Sequence, residues 1–180
     1  MSITTDKYLE QQELAEPKPT RVIHLNLLKK EIPYQWRIQS YSKNKPQAAC
    51  VAYIDARDVM NLLDEVVGAE NWQSDYKEVS GHVVAGVAIK INGEWVWKWD
   101  TGTESQTEKD KGLFSDSFKR AAVKWGIGRF LYDLDIVYIP TNDPLSPTNP
   151  YPYVVNENDG KKVYDITKYI NNVHVKMKYL

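Results

Sequence analysis

Asn92-Gly93 stands between two runs of alternating β-prone residues, His82–Ile91 and Glu94–Thr101. That dipeptide favours a two-residue turn with positive φ at both positions, which closes a hairpin and fixes its register. The expected pairing sets Ile91 opposite Glu94, Lys90 opposite Trp95, Ala88 opposite Trp97 and Gly86 opposite Trp99. One sheet face then carries Trp95, Trp97 and Trp99 above Val84, Gly86, Ala88 and Lys90. The other carries Val83, Ala85, Val87, Ile89, Ile91 and Val96 beside Glu94, Lys98 and Asp100. Both faces are largely apolar, whereas a short antiparallel hairpin by itself leaves one face to water. Each side therefore needs a cover, and the Trp row is expected to pack on a helix or a neighbouring molecule rather than to stack bases.

The surrounding chain supplies other elements. Upstream, Tyr34–Tyr41 and 47–54 are β-prone and joined by Ser42-Lys43-Asn44-Lys45-Pro46, a second hairpin with a basic tip, and His24–Ile32 is a short helix closed by Pro33. Asp55 is placed to cap a helix whose Val59, Leu62, Leu63, Val66 and Val67 fall at i, i+3, i+4, i+7 and i+8, with Gly68 at its end. A strand over 72–80 follows. After the Trp-bearing hairpin, Ser105 and Glu108 offer a capping box ahead of a long helix with a buried stripe of Phe114, Phe118, Ala121, Ala122 and Trp125. Lys109, Asp116, Arg120, Val123, Lys124 and Ile127 fall on its opposite side, with Lys119 at the edge. Five of the nine prolines lie between Pro140 and Pro152. The expected division is an N-terminal arm over 1–20, one domain over 21–139, and a proline-rich linker with a C-terminal tail over 140–180.

Composition excludes several functions. With 26% charged residues and no apolar run approaching ~18 residues, nothing here spans a bilayer. The first residues lack the apolar region of a secretory signal, so a cytoplasmic location is expected. The single cysteine, Cys50, can make neither an intrachain disulfide nor a cysteine-cluster zinc site. His24, His82 and His174 have no ligand spacing, and no phosphate-binding Gly-Lys loop is present. Asp55 and Asp58 read as a helix cap and a first-turn acid rather than as metal ligands. No enzyme activity, metal or cofactor is expected.

The net charge of −1 argues against nucleic acid only until the chain is divided. Residues 18–52 hold seven bases and one acid, and residues 111–132 hold five bases and one acid. Residues 53–110 offset them with twelve acids and five bases. Taken singly, each basic block has an ordinary solvated surface as its simplest explanation. Arg57 is unusual, because a cation in the first turn of a helix opposes the helix dipole. It either pairs with Asp55 or Asp58, or it attends a phosphate at the helix start. Lys119-Arg120 with Lys124 form the second candidate group.

Two stretches go further. Tyr53-Ile54-Asp55-Ala56-Arg57-Asp58-Val59-Met60, with Glu65-Val66-Val67-Gly68-Ala69-Glu70-Asn71-Trp72, is the first, and the run from Gly112 to Tyr132 containing Ser117-Phe118-Lys119-Arg120-Ala121-Ala122 is the second. Together they resemble the Rad52/Rad22 family of single-strand annealing proteins, in its phage and bacterial branch, over roughly residues 27–135. The resemblance implies an α+β fold: a β-hairpin followed by an α-β-β-β-α core in a double-stranded-RNA-binding-domain-like layout, its antiparallel sheet packed on the long helix. It also implies assembly into homo-oligomeric rings or filaments, and ATP-independent binding and annealing of single-stranded DNA in a basic groove. Lys119 and Arg120 match the basic pair of the groove-lining helix. Arg57 falls one place before a groove arginine of eukaryotic members, and Val123 stands where those members carry another, with Lys124 as its substitute. Lys111 on the helix, and Arg37, Lys43 and Lys45 on the hairpin, complete the expected DNA-binding set. Protection of single-stranded ends without annealing is the alternative, and a metal-dependent nuclease a third. The resemblance implies single-stranded DNA and further copies of the chain as partners, and the tail, outside it, is expected to bind either a single-strand-binding protein or the neighbouring subunit.

Overall fold

Strands β3 (Trp72–Val79), β4 (His82–Ile91) and β5 (Glu94–Thr101) form one antiparallel sheet in that order. The structure is a computed structural model that describes residues 23–102 and 109–177, with the side chains of 109–111 and 174–177 outside the description. The expected N-terminal arm and the Ser105–Glu108 capping box fall outside the described residues. Asn92 and Gly93 take φ values of 53° and 88°. Each cross-strand pair expected from that turn is formed, from Ile91–Glu94 to Gly86–Trp99.

The inner face of this sheet is covered by α1 (Ala56–Val66), α2 (Lys109–Val123) and a 3-10 turn at Leu25–Lys29, the last standing where a short helix was expected. Ala85, Val87 and Ile89 are fully buried among Phe118, Ala121, Ala122 and Trp125 of the α2 segment and Val59, Leu62 and Leu63 of α1. Trp125 Nε1 donates to the Val87 carbonyl at 2.9 Å, which satisfies the polar edge of a ring otherwise in the core. At the start of α1 the Asp55 carboxylate accepts from the amides of Arg57 and Asp58, and the Asp58 carboxylate accepts from the Asp55 amide at 2.8 Å. This is a complete capping box.

Two residues of the expected α2 pattern lie elsewhere. Phe114 is 43% exposed and stands edge-on to Tyr76 at 5.1 Å, because the sheet's β3 edge there offers a ring to lean on rather than a closed core. Ile127, expected on the solvent side, is fully buried. The helix stops at Val123 and Gly126, with φ of 102°, turns the chain back, so the 100° rotation per residue no longer applies.

On the outer face, Trp97 and Trp99 stack with centroids 5.0 Å apart. Lys77 Nζ lies 4.0 Å above the Trp99 ring. Gly86 permits this arrangement, since a Cβ there would meet the Trp99 ring at 2.7 Å.

The other sheet is formed by β1 (Gln35–Tyr41), β2 (Gln47–Tyr53) and β6 (Val137–Pro140), in the order β1-β2-β6. Trp36, Ala48 and Cys50 point to a core completed by Val137, Ile139, Val154 and Ile170. Helix α3 (Ile166–Met177) lies along β1. Its Thr167 Oγ1 accepts from the Trp36 amide at 2.9 Å, and Asn171 Oδ1 accepts from Trp36 Nε1 at 3.2 Å, so the edge strand's donor is satisfied by a helix side chain. The residues after 140, expected as a linker and tail, thus pack on the hairpin. The Thr141 amide donates to the Pro46 carbonyl and the Leu145 amide to the Ser42 carbonyl, each at 2.8 Å. Val154 reaches this core from a segment without a period, whereas Ile166, Tyr169 and Ile170 of α3 face it at i, i+3 and i+4, a spacing too short to stand out in a polar, aromatic stretch.

Candidate nucleic-acid interface

The alternation that buries Trp36 turns Arg37 to the opposite face of the β1–β2 hairpin, where the register sets Val51 across from it and Tyr53 across from Gln35. That polar face is one wall of a cleft of about 400 Å³. Helix α2 supplies the facing wall with Asp116, Lys119, Arg120 and Val123, spaced i, i+3, i+4 and i+7 and therefore on one side of the helix. A 3-10 turn at Arg129–Asp133 adds Leu131 and Tyr132, and Ile54 and Gly128 also line the space.

The charges in the cleft are unequal. Burial pushes the Lys119 ammonium below its ordinary range, and the positive Arg37 acts in the same direction, against the opposing pull of Asp116 and Asp55. Like charges held together in a partly desolvated space are stabilised by an anion between them. Arg37 is itself oriented, its guanidinium 5.5 Å from the centre of the Tyr53 ring, whose hydroxyl donates to Gln35 at 2.7 Å. A lysine with a lowered folded-state pKa weakens the fold at every pH below that value. The penalty fades as pH rises from the folded value towards that of the free side chain. Lys119→Met is thus expected to raise the thermal midpoint at pH 7, and the gain should shrink towards pH 10. Melting curves at the two pH values check this, and a lowered midpoint at pH 7 would contradict it.

Of the expected binding residues, Arg37, Lys119 and Arg120 meet at this cleft. Arg57 is exposed at the start of α1, 3.5 Å from the Asp55 carboxylate, and does not line it. Lys124 is turned to the sheet, where Nζ donates to the Trp99 carbonyl and lies 3.8 Å from Asp100. Lys43 and Lys45 are exposed at the hairpin tip, roughly 20 Å from Arg37 at the usual rise of a strand. Lys111 lies in α2 with its side chain outside the description. Two other cations hold the end of α2: Arg129 donates to the Val123 carbonyl and Lys98 to the Lys124 carbonyl, both at 2.9 Å. Tyr53 and Tyr132 were not singled out from sequence. Strand alternation from Trp36 and the β1–β2 register could have placed Tyr53, whereas Tyr132 depends on the turn after α2.

No group of three or more His, Cys, Asp or Glu able to hold a metal ion occurs among the described residues. Asp55 and Asp58 are engaged in the helix cap. Cys50 is fully buried, and burial pushes its thiol up to about 11, so it stays protonated at neutral pH. Among the described residues no helix is long and apolar enough to cross a membrane.

A family profile described as Rad52/22 family double-strand break repair protein matches residues 24–148, which include every residue lining the cleft. The chain belongs to the Rad52/22 family. It is 33% identical over 118 residues to a protein of Deinococcus deserti named single-stranded DNA-binding protein DdrA, an alignment covering 62% of this chain and 58% of the relative. The protein of the same name from Deinococcus radiodurans is 35% identical over 101 residues, covering 55% of this chain and 48% of the relative. The chain thus spans about half the length of the curated relatives it matches. The Rad52/22 match ends before Val154 and α3, so the cover of the hairpin's apolar face lies partly outside the family stretch.

Proposed function

We propose that this Rad52/22 family chain binds single-stranded DNA along the cleft between the β1–β2 hairpin and α2, and that it anneals complementary strands without ATP as part of recombination and repair. The observation that carries this reading is the meeting of Arg37 with Lys119 and Arg120, cations from elements far apart in sequence, in one partly desolvated cleft. The family match and the single-stranded DNA-binding relatives support a nucleic-acid strand as the anion. Held by its phosphates, a strand keeps its bases available, because backbone contacts position a nucleic acid without reading its sequence. A second strand then samples register until Watson–Crick pairing wins.

Assembly into a homo-oligomeric ring or filament belongs to the same proposal, with the Trp95–Trp97–Trp99 face as apolar surface that a second copy could cover. A single-strand-binding protein that contacts the residues after 140 would meet their outer side, where Tyr151 and Tyr164 are exposed, since Val154 and Ile170 are buried. Mixing the protein with complementary oligonucleotides is expected to accelerate duplex formation without ATP, on a sample whose mass exceeds that of one chain. A strict monomer that leaves the annealing rate unchanged would contradict the annealing reading. A second reading, protection of single-stranded ends, is equally compatible with relatives named for single-stranded DNA binding. Exonuclease protection without faster annealing is the result that selects it.

A further inference from the structure

The turn that closes the cleft fixes three consecutive side chains and leaves the fourth open. Gly128, with φ of 69°, starts it, and a Cβ there would meet Ile54 Cδ1 at 2.7 Å. Arg129 is tied to the Val123 carbonyl, Phe130 packs on Tyr34 with centroids 5.8 Å apart, and Leu131 packs on the main core. Tyr132, the fourth, is 69% exposed and lines the cleft beside Lys119 and Arg120. Its backbone is thus anchored by its neighbours while its ring is left in the open, next to the cations that would hold a phosphate.

A large aromatic surface in this setting suits one kind of partner. Phosphate contacts alone do not tell single strands from duplex. An unpaired base offers a face to an aromatic ring, whereas a base inside a duplex is already stacked on both sides. We propose that Tyr132 seats one unpaired base of the strand held by Arg37, Lys119 and Arg120, and so gives the cleft its preference for single-stranded over duplex DNA. This rests on the reading of the cleft as a DNA site. The seat uses the ring face and not the hydroxyl, and it is indifferent to which base is present.

The test compares equilibrium binding of oligothymidine and of an abasic oligonucleotide of the same length to the intact chain, to Tyr132→Ala and to Tyr132→Phe. The wild-type chain should prefer oligothymidine by about 10-fold, the scale of one stacked base. Tyr132→Ala should bind both ligands like the wild type binds the abasic one, and Tyr132→Phe should keep the preference. Because Tyr132 is exposed, the alanine variant should melt with the wild type, which separates loss of the seat from loss of the fold. An undiminished preference in Tyr132→Ala overturns this inference and leaves the cleft's DNA role standing. Failure of the wild-type chain to bind either oligonucleotide overturns both.

Discussion

Replacing Lys119 and Arg120 together by alanine is expected to lower affinity for a single-stranded oligonucleotide by about 10-fold or more at moderate salt, while the melting midpoint does not fall and oligomer size stays unchanged. Both residues face the cleft from one side of α2 rather than the buried stripe of Phe118, Ala121 and Ala122. The ion pair from Arg120 to Asp100, at 3.9 Å, is partly exposed and contributes little to the fold. For single strands each neutralised phosphate contributes about −0.7 to the slope of log affinity against log salt, so the double variant should flatten that slope by about 1.4. Annealing should slow with binding. Equal affinity and an equal slope in the double variant would place the strand elsewhere on the surface.

A different result is expected from Ile170→Ala. Ile170 is fully buried and comes from α3 into the core that covers the apolar face of the hairpin. Truncating such a residue to alanine typically costs about 2–5 kcal/mol. Removing everything after residue 140 should cost more, since Val154, the Thr167 and Asn171 contacts to Trp36, and the Thr141 and Leu145 bonds to the hairpin tip all go with it. Arg37 stands on the opposite face of that hairpin, so DNA affinity should fall along with stability. The two sets of variants therefore separate by observable: Lys119→Ala with Arg120→Ala lowers binding without lowering the melting midpoint, and Ile170→Ala lowers melting and binding together. Denaturant unfolding of both measures this. A chain ending at residue 140 that unfolds like the full one would show that α3 is not part of the hairpin's support.

What could be read from the sequence was what is settled within a few residues. Asn92-Gly93 set the register of β4 and β5, and Asp55 and Asp58 formed the cap expected at α1. Spacing gave most of the buried side of α2. What failed depended on distant partners. Phe114 found Tyr76 on a sheet edge, Ile127 lay past the end of the helix, and Val154 joined a core from a segment with no period of its own. The basic blocks marked the two elements that face each other across the cleft. They could not divide their own members, because Lys124 is held by the Trp99 carbonyl and Asp100, and Arg129 by the end of α2. Only tertiary contacts separate cations that hold the fold from cations that line the cleft.

The most direct measurement is the salt dependence of single-stranded oligonucleotide binding by the wild-type chain. Three phosphates held by Arg37, Lys119 and Arg120 call for a log–log slope of about −2 or steeper, although the chain carries a net charge of only −1. A slope near zero, or no binding at low salt, would contradict the assignment of the cleft to a nucleic-acid backbone.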